Sequence, residues 1–563
     1  MRAIRTFVSG LLLSTLCLLP VSISAAEAQP FFTLKTSSVN TLIGVAEKIG
    51  DMAGFANDAQ LRDAVRAIRD IKGFDFDNII GIAAAVGDDG SISPILLLPI
   101  TDLWKAEIPS MPQIFDMIRP FLTKKGENTE INSPFGTFVV VQKQGYLVVV
   151  AENFADQLPS DPRKLFADLE KYTLGVKFDF DKVDFETLEA NLFGPLAFLA
   201  MMQNPEMGEQ LEDVFGFFRE LYQEFSVLSG GIAFNPQNAD FEISATAVPR
   251  KGSGAAKFLA DCKQQPTIFN GFRGTPGNVI FSFGSSLTYP PLPLPNPLTT
   301  QLETVFDGIM EQVEMEDESG DLSAAVREIG GLIQRVLEAE MKRGACDFAL
   351  SFDTSGTFLC AFDTVSLGEF QDFAAMAVDY LSYRIPSDLA SDLAYDLRQD
   401  YLDIGGFQVS GTVVPVGRTL EMVVSSPPPV LDNLSLAVLW AVKDTSGKQA
   451  IAFAIGPDFA STEQKFKSAL EKTKTPAPVL MPQGTLSVQE LGKFLRLIED
   501  NLGSAPEEIK KVIDTLASAG DDATISLSFD LKPARAEGGF RISGKAMMAV
   551  FSLVRMIAPT PNL

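Results

Sequence analysis

Two stretches decide how this chain is read: Phe241-Glu242-Ile243-Ser244-Ala245-Thr246-Ala247 and Phe540-Arg541-Ile542-Ser543-Gly544-Lys545-Ala546. Each opens by alternating apolar and polar residues, the period of a half-buried strand. Each follows a similar strand, Gly231-Ile232-Ala233-Phe234 in one place and Ser526-Leu527-Ser528-Phe529 in the other. Further out, Leu169-Glu170-Lys171 ends a helical run as Leu470-Glu471-Lys472 does. After each comes a strand and then a helix, Val176 with Leu188 and Leu192 against Val479 with Leu491 and Leu495. The spacing stays near 300 residues. At the front, Phe32 to Ser38 is similar to Phe281 to Leu287, about 249 residues on, so the second copy carries extra residues, mostly between 288 and 345. No single match is strong, but their shared order is the mark of a diverged internal repeat.

The expected organisation is therefore a leader at 1–28, a first repeat domain at 29–272 and a second at 273–563. The junction Gly271-Phe272-Arg273-Gly274-Thr275-Pro276-Gly277 has linker chemistry. Hairpins are expected at 79–86 with 92–100, around Gly87-Asp88-Asp89-Gly90, and at 137–142 with 146–151, around Lys143-Gln144-Gly145. In the second copy they are expected at 347–352 with 357–362, 406–413 with 419–425, 434–442 with 449–455, and 523–531 with 539–545. Pro290 to Pro297 and Pro427-Pro428-Pro429 mark extended loops. The class expected is α+β: two related domains, each an antiparallel sheet built of hairpins with helices packed on one face.

The chain has 563 residues, enough for two or more cores. It contains no histidine, which excludes a Ser-His-Asp triad, a Cys-His dyad and a His-ligated zinc or haem. A formal charge of −26 argues against nucleic acid as a partner. Arg2 and Arg5, the apolar run Phe7 to Leu19 and the small-x-small Ala26-Glu27-Ala28 read as a secretory signal peptide. Cleavage before Gln29 fits best, with cleavage after Ala26 nearly as well matched. The apolar run falls short of a span, and no run after residue 30 reaches spanning length. The expected location is periplasmic or extracellular.

Export opens the way to a disulfide between Cys346 and Cys360. A tight turn on Thr354-Ser355 pairs Cys360 with Ala349 instead, so a bridge needs a bulge or a longer turn. Two free buried thiols are therefore the favoured reading. Cys262 sits in a helical run as a small core residue.

No phosphate loop, dinucleotide fingerprint or GxSxG elbow occurs. Asp-Thr-Ser-Gly occurs at 353–356 and 444–447, where hairpins must turn; turn chemistry explains both better than an aspartic-protease pair. The acidic run Glu311, Glu314, Glu316, Asp317, Glu318 and Asp321 does not fit a Ca2+ loop and reads as a solvated helix end. Asp179, Asp181 and Asp184 read as a loop and a helix cap. Two Trp and eight Tyr are few for stacking sugars. Phe215, Phe217, Phe218, Tyr222 and Phe225, with the apolar run 192–202, read as core or as the wall of an apolar groove.

The layout of a leader followed by duplicated hairpin–helix units resembles a class of uncharacterised secreted bacterial proteins. The strand-to-helix turn Leu98-Pro99-Ile100-Thr101-Asp102-Leu103 is similar to theirs, as is Tyr146–Ala151 followed by Asn153-Phe154-Ala155. The resemblance rests on packing motifs and implies no activity. The sequence is thus expected to specify a non-catalytic binding or envelope-structural protein, with no cofactor, no metal and no catalytic residue. Its partner would be another protein or an apolar small molecule; the alternative is a carrier of a lipid or similar ligand. A carboxylate-based hydrolase comes third and needs two carboxyls converging in a cleft.

Overall fold

A computed structural model of the chain describes residues 29–53, 59–87, 90–101, 122–125, 128–133, 136–194, 205–274, 277–291, 300, 304–308, 310, 321–371, 397–415, 435–445, 448–477, 482–502 and 506–557. The expected leader at 1–28, most of the acidic run, the segment 419–425 and the triple proline lie outside them. Two compact units are distinguished: the described residues up to Leu259 together with those from Leu531, and Ala260–Asp530.

The first unit holds β1 (Pro30–Thr36), β2 (Ile80–Val86), β3 (Ile92–Leu98), β4 (Leu122–Lys125), β5 (Asn128–Ser133), β6 (Gly136–Lys143), β7 (Tyr146–Ala151), β8 (Leu174–Asp179), β9 (Phe225–Phe234) and β10 (Phe241–Pro249). The second holds β11 (Lys263–Gln264), β12 (Val279–Thr288), β13 (Ala345–Asp353), β14 (Phe358–Thr364), β15 (Arg398–Ile404), β16 (Phe407–Pro415), β17 (Ser435–Thr445), β18 (Lys448–Gly456), β19 (Gln483–Ser487) and most of β20 (Thr524–Lys532). The last strand, β21 (Arg535–Ile542), belongs to the first unit. The helices used below are α1 (Val39–Ala53), α2 (Pro205–Glu224), α3 (Phe459–Lys472), α4 (Val488–Leu502) and α5 (Gly544–Ile557).

In the first unit the pairing order is β4-β5-β6-β7-β3-β2-β1-β8-β9-β10-β21, antiparallel at each step. In the second it is β15-β16-β17-β18-β14-β13-β12-β19-β20. The two-residue β11 joins the far end of β12. The same order therefore occurs twice, with β12 in the place of β1 and β19 in the place of β8.

The expectation of two separate sheets, each covered by helices on one face, is corrected on both counts. All 21 strands among the described residues belong to a single antiparallel sheet. The two Phe-x-Ile-Ser stretches explain part of this, because they pair with one another. Phe241 lies opposite Ile542, Ile243 opposite Phe540 and Glu242 opposite Arg541. Pairing hides the backbone edge that each strand would otherwise leave open. Asp240 fastens the junction, accepting from Arg541 Nη2 at 2.6 Å and from the Gly544 N–H at 2.8 Å, at the start of α5. Burial would raise the Asp240 carboxyl, but these hydrogen bonds outweigh it and hold it below its ordinary range. A Cβ at Gly544 would strike the Asn238 backbone, which explains glycine there where the first stretch has Ala245.

Helices cover both faces because both faces of the central strands are apolar. In the first unit one face packs Ala83, Ala85, Ile95, Leu97, Val148 and Val150 beneath Phe154, Leu158 and Phe166 of the turns that follow β7. On the other face Phe32 meets Phe178, which meets Phe218 of α2. In the second unit Phe466 and Leu470 of α3, with Phe269 and Phe272, cover Ala349, Ala361, Ala452 and Ala454. The opposite face is met by α4, where Phe494 stands edge-on to Phe352 at 5.1 Å.

Two local expectations also change, and the favoured reading of the cysteines holds. Strand β16 pairs with β15 and β17, so the partner of 406–413 is 398–404, turned by Gly405 and Gly406, both at positive φ. The junction at 271–277 is not a solvated linker at its start, since Phe269 and Phe272 are fully buried. Cys346 and Cys360 are both free. Cys360 lies opposite Leu350, and Cys346 is four residues further along β13. That separates them by roughly 13 Å along the strand, far beyond disulfide reach.

Candidate functional site

The site is built from the turn after β11. Asn270–Arg273 forms one 3-10 turn that starts after buried Phe269, contains buried Phe272 and ends at Gly274. Ser351 Oγ donates to the Phe272 carbonyl at 2.6 Å, and Gly271 lies so close to Ala469 that no Cβ fits. Gly274 follows at φ +73, where a side chain would be strained. With the turn fixed on the sheet and on α3, the Arg273 side chain enters a cleft of about 780 Å3. Ser282 of β12, Thr485 and Ser487 of β19, Lys472 at the end of α3, and Glu490 and Lys493 of α4 line it with Asp521 and Thr524.

The charges in the cleft are unevenly matched. Glu490 is buried, and its Oε1 receives Lys493 Nζ at 2.7 Å. Ser487 Oγ accepts the Glu490 N–H at 3.3 Å and so caps α4. Arg273 has no carboxylate within ion-pair distance among the described residues. With the Gln483 amide turned oxygen-first, that oxygen accepts from both Nη atoms at 2.8 and 2.7 Å. Arg273 Nε is buried without a partner. Burial pulls the guanidinium below its ordinary pKa, with no neighbouring charge to oppose it.

The same place in the first unit is smaller, and its charges are paired within the chain. Lys177 of β8 lies opposite Thr33 as Thr485 of β19 lies opposite Ser282. Lys177 pairs with Asp168 at 2.6 Å and Asp179 at 3.5 Å. Lys182 donates to the Gln29 side chain beside them. The residual cleft is about 260 Å3. Following the register, Thr485 replaces Lys177 and Ser487 replaces Asp179. On the covering segment Ala469 precedes Leu470-Glu471-Lys472 where Asp168 precedes Leu169-Glu170-Lys171.

The residues singled out from sequence do not converge. Asp353-Thr354-Ser355-Gly356 forms the hairpin turn, its Asp353 Oδ1 accepting the Ser355 N–H at 2.9 Å. Lys465 of α3 reaches that turn and contacts Asp353, Ser355 and Thr357. Lys465 Nζ and the Asp353 carboxylate form an ion pair there. The contact therefore ties hairpin to helix. The turn of the second Asp-Thr-Ser-Gly falls at 446–447, outside the described residues. Asp179 pairs with Lys177, Asp181 pairs with Arg250 at 3.0 Å, and Asp184 caps Phe185–Leu188 through Thr187. Those Thr187 hydrogen bonds hold the Asp184 carboxyl below its usual range. Of the acidic run only Asp321 is described.

Burial pushes the Cys346 thiol up to about 12 and the Cys360 thiol up to about 11. Both stay protonated near neutral pH and are poor nucleophiles. Phe215, Phe218 and Tyr222 pack on Phe193, Phe178 and Phe180, at ring separations of 4.4, 5.7 and 5.7 Å, while Phe217 is exposed. Among the described residues no cluster of three or more acidic, Cys or His groups could hold a metal. Among them, too, no helix is long and apolar enough to cross a membrane.

Arg273 was missed from sequence because it lies inside the stretch read as a linker. The available signal was Phe269-Asn270-Gly271-Phe272, two large apolar residues that a solvated linker would not need. Compared with known protein families, with curated proteins and with solved structures, the chain matches none.

Proposed function

We propose that the protein is an exported, non-catalytic binding protein of the cell envelope that holds its ligand in the cleft beside Arg273. The observation that carries this reading is the guanidinium that reaches the cleft with no counter-charge among the described residues. An arginine left so invites an outside partner. The cleft is better suited to holding than to converting. Its Ser487 caps a helix, and its Lys493 is engaged by Glu490, so neither is poised as a nucleophile or base. The leader at 1–28 and the resemblance to secreted bacterial proteins support an envelope location.

The alternative of an apolar-ligand carrier has less support. Three of the rings that could wall an acyl groove on α2 pack against other rings. Native mass spectrometry of the protein isolated from its own envelope fraction, followed by denaturing release, separates the readings. A discrete hydrophilic molecule released from the wild type and lost from Arg273→Gln is expected. A released lipid would move the protein to the carrier reading. A clean mass from both proteins would leave the structural reading in its place.

A further inference from the structure

Resting on that binding reading, we infer that the ligand is recognised by an oxyanion, a carboxylate or phosphate group on a hydrophilic molecule. The argument is a comparison of the two equivalent clefts. In the first unit the chain supplies its own anions: Asp168 and Asp179 flank the Lys177 ammonium at 2.6 and 3.5 Å. In the second unit both carboxylates are gone, replaced by Ala469 and Ser487, and the cleft is about three times larger, 780 against 260 Å3. A cation is nevertheless present, because Arg273 enters from a different segment. A guanidinium held against one amide oxygen still has donors to offer, and its planar fork matches the two oxygens of a carboxylate or phosphate.

The remaining charges are consistent with an added anion. Glu490 is already neutralised by Lys493 at 2.7 Å. Lys472 at the rim has no ion-pair partner among the described residues, which leaves Asp521 as the opposing charge in the lining. The hydroxyls of Ser282, Thr485 and Thr524 would meet the polar body of the ligand. A volume of this size accommodates a molecule of sugar-acid or sugar-phosphate dimensions.

The test uses the full processed chain at low salt, titrated calorimetrically with inorganic phosphate and with citrate. Vesicles containing phosphatidylglycerol form a separate arm that distinguishes a lipid headgroup from a free anion. Saturable binding of phosphate or citrate is expected, weakened at least tenfold in Arg273→Gln. The decisive variant is Ser487→Asp. It keeps a good helix cap and places in the second unit the carboxylate that the first unit has. It should abolish anion binding with the thermal midpoint unchanged. Equal affinity in wild type and both variants would overturn the inference, as would no binding of any probe.

The two readings fail separately. A neutral molecule released in native mass spectrometry, with no anion response, would sink the oxyanion and keep the binding role. No released molecule and no anion response would sink both.

Discussion

The cleft beside β8 and the cleft beside β19 occupy the same place in the same strand order, yet one is small with its charges paired and the other is about three times larger. In the first, Lys177 is held between Asp168 and Asp179. In the second, Thr485, Ala469 and Ser487 stand at those positions, and Arg273 arrives unmatched. The difference teaches that a strand order recurring within one sheet need not carry a recurring site. Three side-chain differences remove the internal ion pairing, and a fourth residue, Arg273, brings a cation that has no carboxylate partner among the described residues.

The covers over these clefts differ too. The first unit uses 3-10 turns at Glu152–Gln157 and Pro162–Leu169, while the second uses the fourteen-residue α3. If both covers serve the same packing role, the rings at their centres should matter equally. Phe166 and Phe466 are buried to 2% and 0% exposure. Phe166 lies so close over Gly81 that no Cβ fits there, and Phe466 packs with Phe272. Alanine at either position is expected to cost about 3–5 kcal/mol, measured by denaturant unfolding. A loss under about 1 kcal/mol at Phe166 alone would break the equivalence of the covers.

The second contrast concerns pH. Asp347 sits one residue before Phe348 of β13, and the corresponding residue before β2 is Ile79. Burial pushes the Asp347 carboxyl up to about 6, although Thr267 and Ile268 donate to it at 2.6 and 3.2 Å. A carboxyl whose folded pKa is raised contributes stability that is complete below its unfolded pKa of 3.8 and lost as pH rises through about 6. Between pH 4 and 7 the stability of the wild type relative to Asp347→Asn should therefore fall by about 1–3 kcal/mol. Thermal unfolding of both proteins across that window checks it. Parallel curves would show that this carboxyl titrates as it does in the unfolded chain.

The smallest expected change in stability is at the charge-paired cleft of the first unit. The Asp168 side chain is 69% exposed, so Asp168→Ala should cost under about 1 kcal/mol. Combined with Asp179→Ala it should free Lys177 and give the first unit an anion response of its own, read by calorimetry with phosphate. A double variant still indifferent to phosphate would show that Arg273, and not the missing carboxylates, makes the second cleft competent.

Much of the local structure was legible. Alternation placed β9, β10, β20 and β21, and Gly145 at φ +81 turns β6 into β7 where Lys143-Gln144-Gly145 suggested it. The turn at Asp353–Gly356 is stabilised by the Asp353 side chain, as Asx chemistry requires. Less legible was the pairing of β15 with β16, although Gly405-Gly406 is itself a hairpin signal. The site was illegible, because nothing around Arg273 shows that its nearest polar partner is Gln483, 210 positions away.

What the sequence by itself determined is short-range: the period-two strands, the turns, the absence of histidine chemistry and the recurring order of elements. These follow from backbone sterics, side-chain alternation and composition, which act between near neighbours. The tertiary structure alone decided that the strands form one sheet, that Phe269 and Phe272 are core and that Arg273 lacks a counter-charge among the described residues. Each depends on which distant edge or carboxylate comes within a few ångströms, and edge pairing, burial and charge neutralisation are properties of neighbours that only folding brings together.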